Sequence, residues 1–140
     1  MVDAPTFSAL SEEQLVAVQM NLAKAAEWAG VDTAPSAAKV QEIYDAFLEH
    51  DVGDGDRIIT LGVAFGQLLV DRAGLEWVSV SDQYGTEICV AVPEKQSFCS
   101  PLSMMDKRIE RAERLSIERL CEDTLALLYE RSSQPNVGKR

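Results

Sequence analysis

Several residue types are scarce in this sequence of 140 residues. Aromatic residues make up 6%, and the chain has one histidine and three cysteines. The odd number of cysteines and the lack of a CxxC pair favour a reducing compartment over a disulfide framework. No apolar run approaches the ~18 residues of a membrane span. The first 12 residues have neither the basic start nor the apolar stretch of a secretory signal, so we expect a cytoplasmic protein.

Positive charge is scarce as well. The chain has 13 Lys and Arg residues against 23 Asp and Glu residues, a net charge of −10. This balance argues against a nucleic-acid partner, because proteins that bind nucleic acids have a basic surface. We expect no membrane partner either. Apolar residues make up 46%, enough for the core of one domain over residues 1–140. We expect residues 1–9 and 132–140 to be loose termini.

The negative charge is concentrated in one part of the chain. Residues 1–60 contain 11 acidic and 3 basic residues, a net charge of −8. Residues 61–140 contain 12 acidic and 10 basic residues, a net charge of −2. A function that depends on charge is therefore predicted to involve the N-terminal part.

Helical periodicity and capping signals predict four to five helices. Ser11 and Gln14 form a capping box, and Gly30 is placed to end the first helix. A second helix is predicted from Ser36 to about His50, and a third from about Asp56 to Ala73. A C-terminal helical region begins after Ser100, and its apolar stripe loses phase around Leu115 to Ile117. We expect either a kink or a break there, with Ser116 as the candidate for a new cap.

The third helix contains a GxxxG pattern at Gly62 and Gly66. Glycine costs about 1 kcal/mol relative to alanine inside a helix. The pattern lacks the strand-to-helix context of a phosphate-binding loop, so we interpret the glycines as a site of close helix packing. Trp77 is predicted to cover this face of the helix, although an exposed contact residue is the alternative.

Residues 76–92 alternate with period 2, which predicts an antiparallel hairpin. We expect a three-residue loop that aligns Asp82 with Thr86, so that Val80 faces Ile88 and one face is wholly aliphatic. A short third strand is predicted within residues 96–100. The fold class is therefore α+β, a small antiparallel sheet packed against helices.

The acidic loop 51–56 resembles a calcium loop only superficially. Counting from Asp51 places glycines at positions 3, 5 and 12, where an EF-hand needs oxygen ligands. We interpret the loop as a turn that caps the third helix, and we expect neither a metal nor a cofactor.

Nucleophilic catalysis needs an activated serine or cysteine beside a base. His50 is the single histidine and has no recognisable spacing to Cys89, Cys99 or Cys121. The cysteines are therefore interpreted as small apolar core residues, with a Cys–His pair assembled by the fold as the alternative.

The basic residues Lys107, Arg108 and Arg111 cluster in the C-terminal helical region. Glu110 and Arg114 have the i, i+4 order of a helical ion pair, which favours a solvated helix face. The alternative is a site for an anionic group.

Four segments in order resemble the bacterial domain-of-unknown-function family 3806 over roughly residues 38–114. The segments are Leu61-Gly62-Val63-Ala64-Phe65-Gly66, Gly74-Leu75-Glu76-Trp77-Val78, Asp82-Gln83-Tyr84-Gly85-Thr86-Glu87, and Pro101-Leu102-Ser103-Met104 with Lys107-Arg108. The resemblance implies a bacterial, soluble protein and implies no reaction. The first helix and the residues after Arg114 fall outside it.

Two classes of function remain open, with an uncharacterised enzyme as a third. The first is a non-enzymatic protein-binding module, of the immunity or inhibitor kind, whose acidic surface attracts a basic partner. Its predicted contact residues are Glu49, Asp51, Asp54, Asp56 and the hairpin-tip residue Tyr84. The second is an anionic-ligand site at Lys107, Arg108 and Arg111. Homo-oligomer formation through the C-terminal helix is compatible with each.

Overall fold

The computed structural model describes residues 5–50 and 54–133. These residues form five helices and a four-stranded antiparallel sheet in the order β1-β2-β3-β4. The elements in chain order are β1 Thr6–Ser8, α1 Glu12–Ala29, α2 Ala37–His50, α3 Gly55–Ala73, β2 Glu76–Asp82, β3 Gly85–Ala91, β4 Phe98–Cys99, α4 Pro101–Glu110 and α5 Ile117–Ser133. The predicted α+β class is confirmed.

Local signals in the sequence place the helix ends well. Ser11 and Gln14 exchange the two bonds of a capping box, at 3.1 Å and 2.9 Å. Asp54 accepts from the N–H of Arg57 at 3.0 Å, which caps α3. The predicted break is confirmed, because α4 ends at Glu110 and Ser116 caps α5 by accepting from the N–H of Arg119 at 3.1 Å.

Residues from all five helices and from the sheet share one apolar core. Helix α3 supplies the largest part of it, with five of its nine buried residues. Fully buried members of the core include Ala25, Val40, Tyr44, Leu61, Phe65, Val90, Met105 and Leu128. Helix α3 is apolar around most of its circumference, and other elements contact it on several sides and bury this surface.

The glycines of α3 allow two close contacts, as predicted. A Cβ atom on Gly62 would lie 2.6 Å from the Cα of Leu102 in α4. A Cβ atom on Gly66 would collide with the indole of Trp77 and lie 2.8 Å from Cγ of Pro101. The interpretation of Trp77 as a core residue over this face is confirmed, and its indole N–H donates to Oε1 of Gln67 at 3.0 Å.

The predicted hairpin is present, but its predicted register is wrong by one residue. Asp82 lies opposite Gly85, and Val80 therefore faces Glu87. The loop has two residues, and the N–H of Tyr84 donates to the carboxylate of Asp82 at 2.8 Å. Alternation determines which residues of one strand share a face, whereas the loop sets the pairing between strands. The predicted aliphatic face consequently does not form.

Both faces of the hairpin are instead partly apolar. Trp77 and Val90 face the helices. On the outer face, the ring of Phe7 from β1 meets that of Phe98 from β4 edge to face, with centroids 5.2 Å apart. These two rings pack on the buried side chains of Val78, Val80, Cys89 and Ala91. One phenylalanine side chain from each edge strand therefore covers part of the outer face of the central hairpin.

Strand β1 was not predicted, and the expectation of loose residues 1–9 is wrong for Thr6–Ser8. Three residues are too few for a periodic signal, and the strand forms because it pairs with Ser79–Ser81 of β2. At the other end, Ser132 and Ser133 belong to α5, so the loose terminus does not begin at residue 132. Residues 1–4 and 134–140 lie outside the described residues.

Helical spacing places Leu15 and Leu127 in the apolar stripes of α1 and α5, yet both side chains are nearly half exposed. Leu127 of α5 is 45% exposed, and Leu15 of α1 is 46% exposed. Helical spacing alone therefore does not decide how far an apolar side chain is covered. The predicted third strand is confirmed as β4, with two residues.

Candidate functional site

The predicted acidic contact residues lie where α2 ends and α3 begins. Glu49, Asp54 and Asp56 are exposed, while Asp51 lies outside the described residues. Asp54 caps α3, and its Oδ2 lies 3.8 Å from Nε of Arg57. Oε2 of Glu49 lies 3.8 Å from Nε2 of His50. Within residues 5–50 and 54–133, no group of three or more possible ligands is arranged to hold a metal ion.

Tyr84 is the most exposed large apolar side chain of the described chain, at 87%. It lies in the two-residue loop of the hairpin. Tyr84 therefore does not fold back over the sheet. Its role as a contact residue stays a prediction.

The basic residues lie at the C-terminal end of α4. Lys107 and Arg108 are in its last turn, and Arg111 is the C-cap residue. Positive charge there stabilises the helix through its dipole, and Arg108 also donates to the carbonyl of Met104 at 3.2 Å. Because the helix stops at Glu110, Arg114 lies in the linker, and the predicted helical pair of Glu110 with Arg114 is wrong. The anion site stays a prediction.

The linker after α4 is held by two side chains of α2. The hydroxyl of Tyr44 donates to the carbonyl of Glu113 at 2.5 Å, and Gln41 bonds to the carbonyl of Leu115 and the N–H of Ile117. Burial, with a smaller contribution from Glu113, raises the pKa of Tyr44 to about 12. Tyr44 is therefore a neutral hydrogen-bond donor at neutral pH, and its contacts are structural.

The three thiols lie in apolar surroundings. Burial raises the pKa of Cys89 and of Cys99 to about 12, and that of Cys121 to about 11. Thiolates are the reactive form of cysteine, so these thiols are poor nucleophiles at neutral pH. Their interpretation as small apolar residues is confirmed for Cys89 and Cys121, which are buried, while Cys99 is half-buried.

Helix α1 has an exposed apolar surface that was not predicted from the sequence. Leu15, Val16 and Met20 are 46%, 50% and 58% exposed. Only Val18 and Ala25 are fully buried in this helix. The low amphipathicity of the segment is the one sequence signal of this surface, because its apolar residues are not confined to one face of the helix.

A groove between α1 and α2 was missed as well. It has a volume of about 290 Å³, near the lower end of ligand-binding cavities. Its wall includes Trp28, whose ring meets that of Phe47 at 5.9 Å. The lining residues are Trp28, Ala29, Lys39, Glu42, Ile43, Ala46 and Phe47. No sequence motif identifies Trp28 or this set of lining residues as the wall of a groove.

The architecture and these surfaces define a small α+β domain without an assigned reaction. The profile of a family described as "Domain of unknown function (DUF3806)" matches residues 37–120, more than half of the chain. The chain therefore belongs to the DUF3806 family, as the resemblance implied. Helix α1 and most of α5 lie outside the matched residues.

Two further comparisons bear on the fold. No curated protein matches the sequence. A crystal structure from Bacteroides thetaiotaomicron VPI-5482 is similar, with a TM-score of 0.70 and 8% identity. The match covers 89% of this chain and 48% of that one, so this chain spans about half the length of that protein. At this identity the likeness shows the fold alone.

Among the described residues, no helix combines the length and the apolar character needed to cross a membrane.

Proposed function

We propose that this protein is a non-enzymatic protein-binding module whose acidic N-terminal surface binds a partner with a basic surface. One observation carries the proposal. The first three helices have both exposed acidic side chains and exposed apolar side chains. Interfaces that bind proteins combine such features, because apolar contacts supply affinity and charge supplies specificity and fast association.

The acidic part of this surface is largely without matching bases. Residues 1–60 carry a net charge of −8. Two of the three bases in this part, Lys39 and Arg57, pair with acids on their own helix turn at 3.8 Å. The exposed acids include Glu12, Glu13, Glu27, Asp32, Glu49, Asp54 and Asp56. A surface of this kind attracts a basic protein and repels nucleic-acid phosphates and anionic lipid.

The apolar part of the surface is on α1. Val16 and Met20 are one helical turn apart and are about half exposed or more. They lie on the same helix as the acids Glu12, Glu13 and Glu27. An amphipathic or basic–apolar segment of a partner would bury these side chains and neutralise the neighbouring carboxylates.

The narrower form of the proposal is an immunity or inhibitor protein, which neutralises a basic enzyme by occupying its substrate-binding surface. The free thiols of Cys89, Cys99 and Cys121 support a cytoplasmic site of action, because that compartment keeps thiols reduced.

The test measures the affinity of this protein for each purified product of its neighbouring genes, at low and at high salt. One variant combines Glu49→Lys, Asp51→Lys, Asp56→Lys and Asp54→Asn, where asparagine keeps the cap of α3. We expect affinity for a basic product to fall by at least about tenfold.

The matched control makes the same change in charge on the nearly balanced part of the chain. It combines Asp106→Lys, Glu110→Lys, Glu130→Lys and Glu122→Gln, all at exposed positions. We expect this control to bind within about twofold of the natural protein. Equal losses in the two variants, or no binding to any neighbouring product, would contradict the proposal.

A further inference from the structure

The groove between α1 and α2 has an apolar interior that the proposed protein-binding surface does not use. Ile43 and Phe47 are 7% and 6% exposed, and Trp28 is 41% exposed. The planes of the Trp28 and Phe47 rings meet at 62°, so the partly exposed indole packs edge to face on a buried ring. The groove therefore presents an aromatic wall to a ligand.

One positive and one negative side chain lie together among the lining residues. Nζ of Lys39 is 3.8 Å from Oε2 of Glu42, one turn apart on α2. These side chains are 40% and 69% exposed, so their mutual attraction is weak and both remain available to a ligand. Ala29 and Ala46 leave the remaining lining free of other charges.

We propose that this groove binds a free α-amino acid with an apolar side chain. The carboxylate of such a zwitterion pairs with Lys39 and its ammonium group pairs with Glu42. Its apolar side chain lies against Trp28 and Phe47. This inference is independent of the proposed protein-binding function.

The charge pattern favours this ligand class over its neighbours. A simple anion that pairs with Lys39 is repelled by the carboxylate of Glu42, and a simple cation that pairs with Glu42 is repelled by the ammonium group of Lys39. A neutral apolar molecule forms an ion pair with neither side chain. A zwitterion satisfies both, and a cavity of about 290 Å³ accommodates a molecule of amino-acid size.

The test uses the two tryptophans as reporters. In a ¹⁵N–¹H correlation spectrum the chain shows two indole N–H signals, one from Trp28 and one from Trp77. The indole of Trp77 donates to Gln67 at a partly buried position outside the groove and serves as the internal control. We expect L-phenylalanine to shift the Trp28 signal saturably, with half-saturation in the millimolar range expected of so small a ligand.

Four comparison ligands separate the proposed contacts. Phenylalaninamide lacks the carboxylate and N-acetylphenylalanine lacks the ammonium group, so each is expected to bind at least about threefold more weakly. L-aspartate lacks the apolar side chain and is expected to leave the signal unmoved. Benzyl alcohol tests for apolar binding alone, and a shift equal to that of L-phenylalanine would overturn the proposal.

Variants test the same contacts from the protein side. Lys39→Gln and Glu42→Gln are expected to weaken L-phenylalanine binding at least about threefold each. The control substitutions Lys24→Gln and Glu110→Gln change exposed residues outside the groove and are expected to have no effect. Ala46→Leu fills the groove and is expected to abolish the ligand-induced shift of Trp28, while the Trp77 signal keeps its native position and shows that the fold is intact.

Three further results would overturn the proposal. The first is the lack of a Trp28 shift with L-phenylalanine at several tens of millimolar. The second is an equal shift of Trp28 and Trp77. The third is unchanged binding in Lys39→Gln and Glu42→Gln. None of these results bears on the affinity of the acidic surface for a protein partner.

Discussion

Helices α1 and α3 have 18 and 19 residues, and both end at a glycine in the left-handed conformation. Both also begin at a side chain that caps the first turn. Yet α3 has nine buried residues and α1 has two. The two helices therefore have equally clear capping signals but very different degrees of burial. The elements that pack against a helix decide how much of its surface is covered.

The two helices also differ in the chemistry of their contacts. Helix α3 packs through glycines and aliphatic side chains against α4 and β2. Helix α1 adds two polar bonds, from Gln14 to Ser79 at 3.0 Å and from Thr60 to Asn21 at 2.6 Å. A helix attached by a narrow apolar strip and two hydrogen bonds keeps much of its surface available for a partner.

The largest expected effect compares one buried and one exposed apolar residue on the two helices. Leu61 of α3 is 0% exposed, and Leu61→Ala should lower the free energy of unfolding by about 3 kcal/mol. Met20 of α1 is 58% exposed, and Met20→Ala should change it by less than about 0.5 kcal/mol. Urea denaturation followed by circular dichroism measures both values, and similar losses would contradict the comparison.

The close packing of α3 gives the second prediction. Gly66→Val places a branched side chain against Trp77 and Pro101, so the free energy of unfolding should fall by about 2 kcal/mol or more. The control on α1 is Ala23→Val at an exposed position, where the cost should be only about 0.5 kcal/mol. Thermal unfolding of the two variants side by side gives the difference. Tolerance of valine at Gly66 would show that the sheet does not press on this face.

The third prediction concerns the polar attachment of α1. Thr60 is 0% exposed, and Thr60→Val should cost about 1 kcal/mol because the carbonyl oxygen of the Asn21 side chain loses its donor. A double-mutant cycle with Asn21→Ala isolates the interaction, and we expect a coupling of about 1 kcal/mol. Strictly additive losses would mean that apolar contacts alone hold α1 on α3.

The smallest effects concern helix ends, where the two helices should behave alike. Gly30 and Gly74 have φ values of 69° and 65°, so Gly30→Ala and Gly74→Ala should each cost about 1 kcal/mol. Ala112 lies two residues after the end of α4 and is also left-handed, with φ of 51°. Ala112→Gly should therefore raise the free energy of unfolding by about 0.5 kcal/mol. Chemical denaturation checks the signs, and a loss in Ala112→Gly would contradict this account.

The candidate site was predictable only in part. The exposed acids Glu49, Asp54 and Asp56 follow from composition, because charged residues at helix ends stay in water. The groove beside Trp28 did not follow, since its walls come from two helices whose relative placement no local pattern encodes. The apolar side chains on the outer part of α1 were missed for the same reason.

The amino-acid sequence by itself determined where most helices begin and end. Ser11, Asp54, Ser100 and Ser116 cap them through side chain to backbone bonds that span three residues. Alternation likewise determined the two long strands.

Only the tertiary structure decided the register of the hairpin, the existence of β1 and which residues of α1 stay exposed. Each depends on contacts between segments far apart in the chain, such as Phe7 with Phe98 and Gln14 with Ser79. The free energy of such contacts comes from the surface that the assembled elements bury together, and no single segment contains that information.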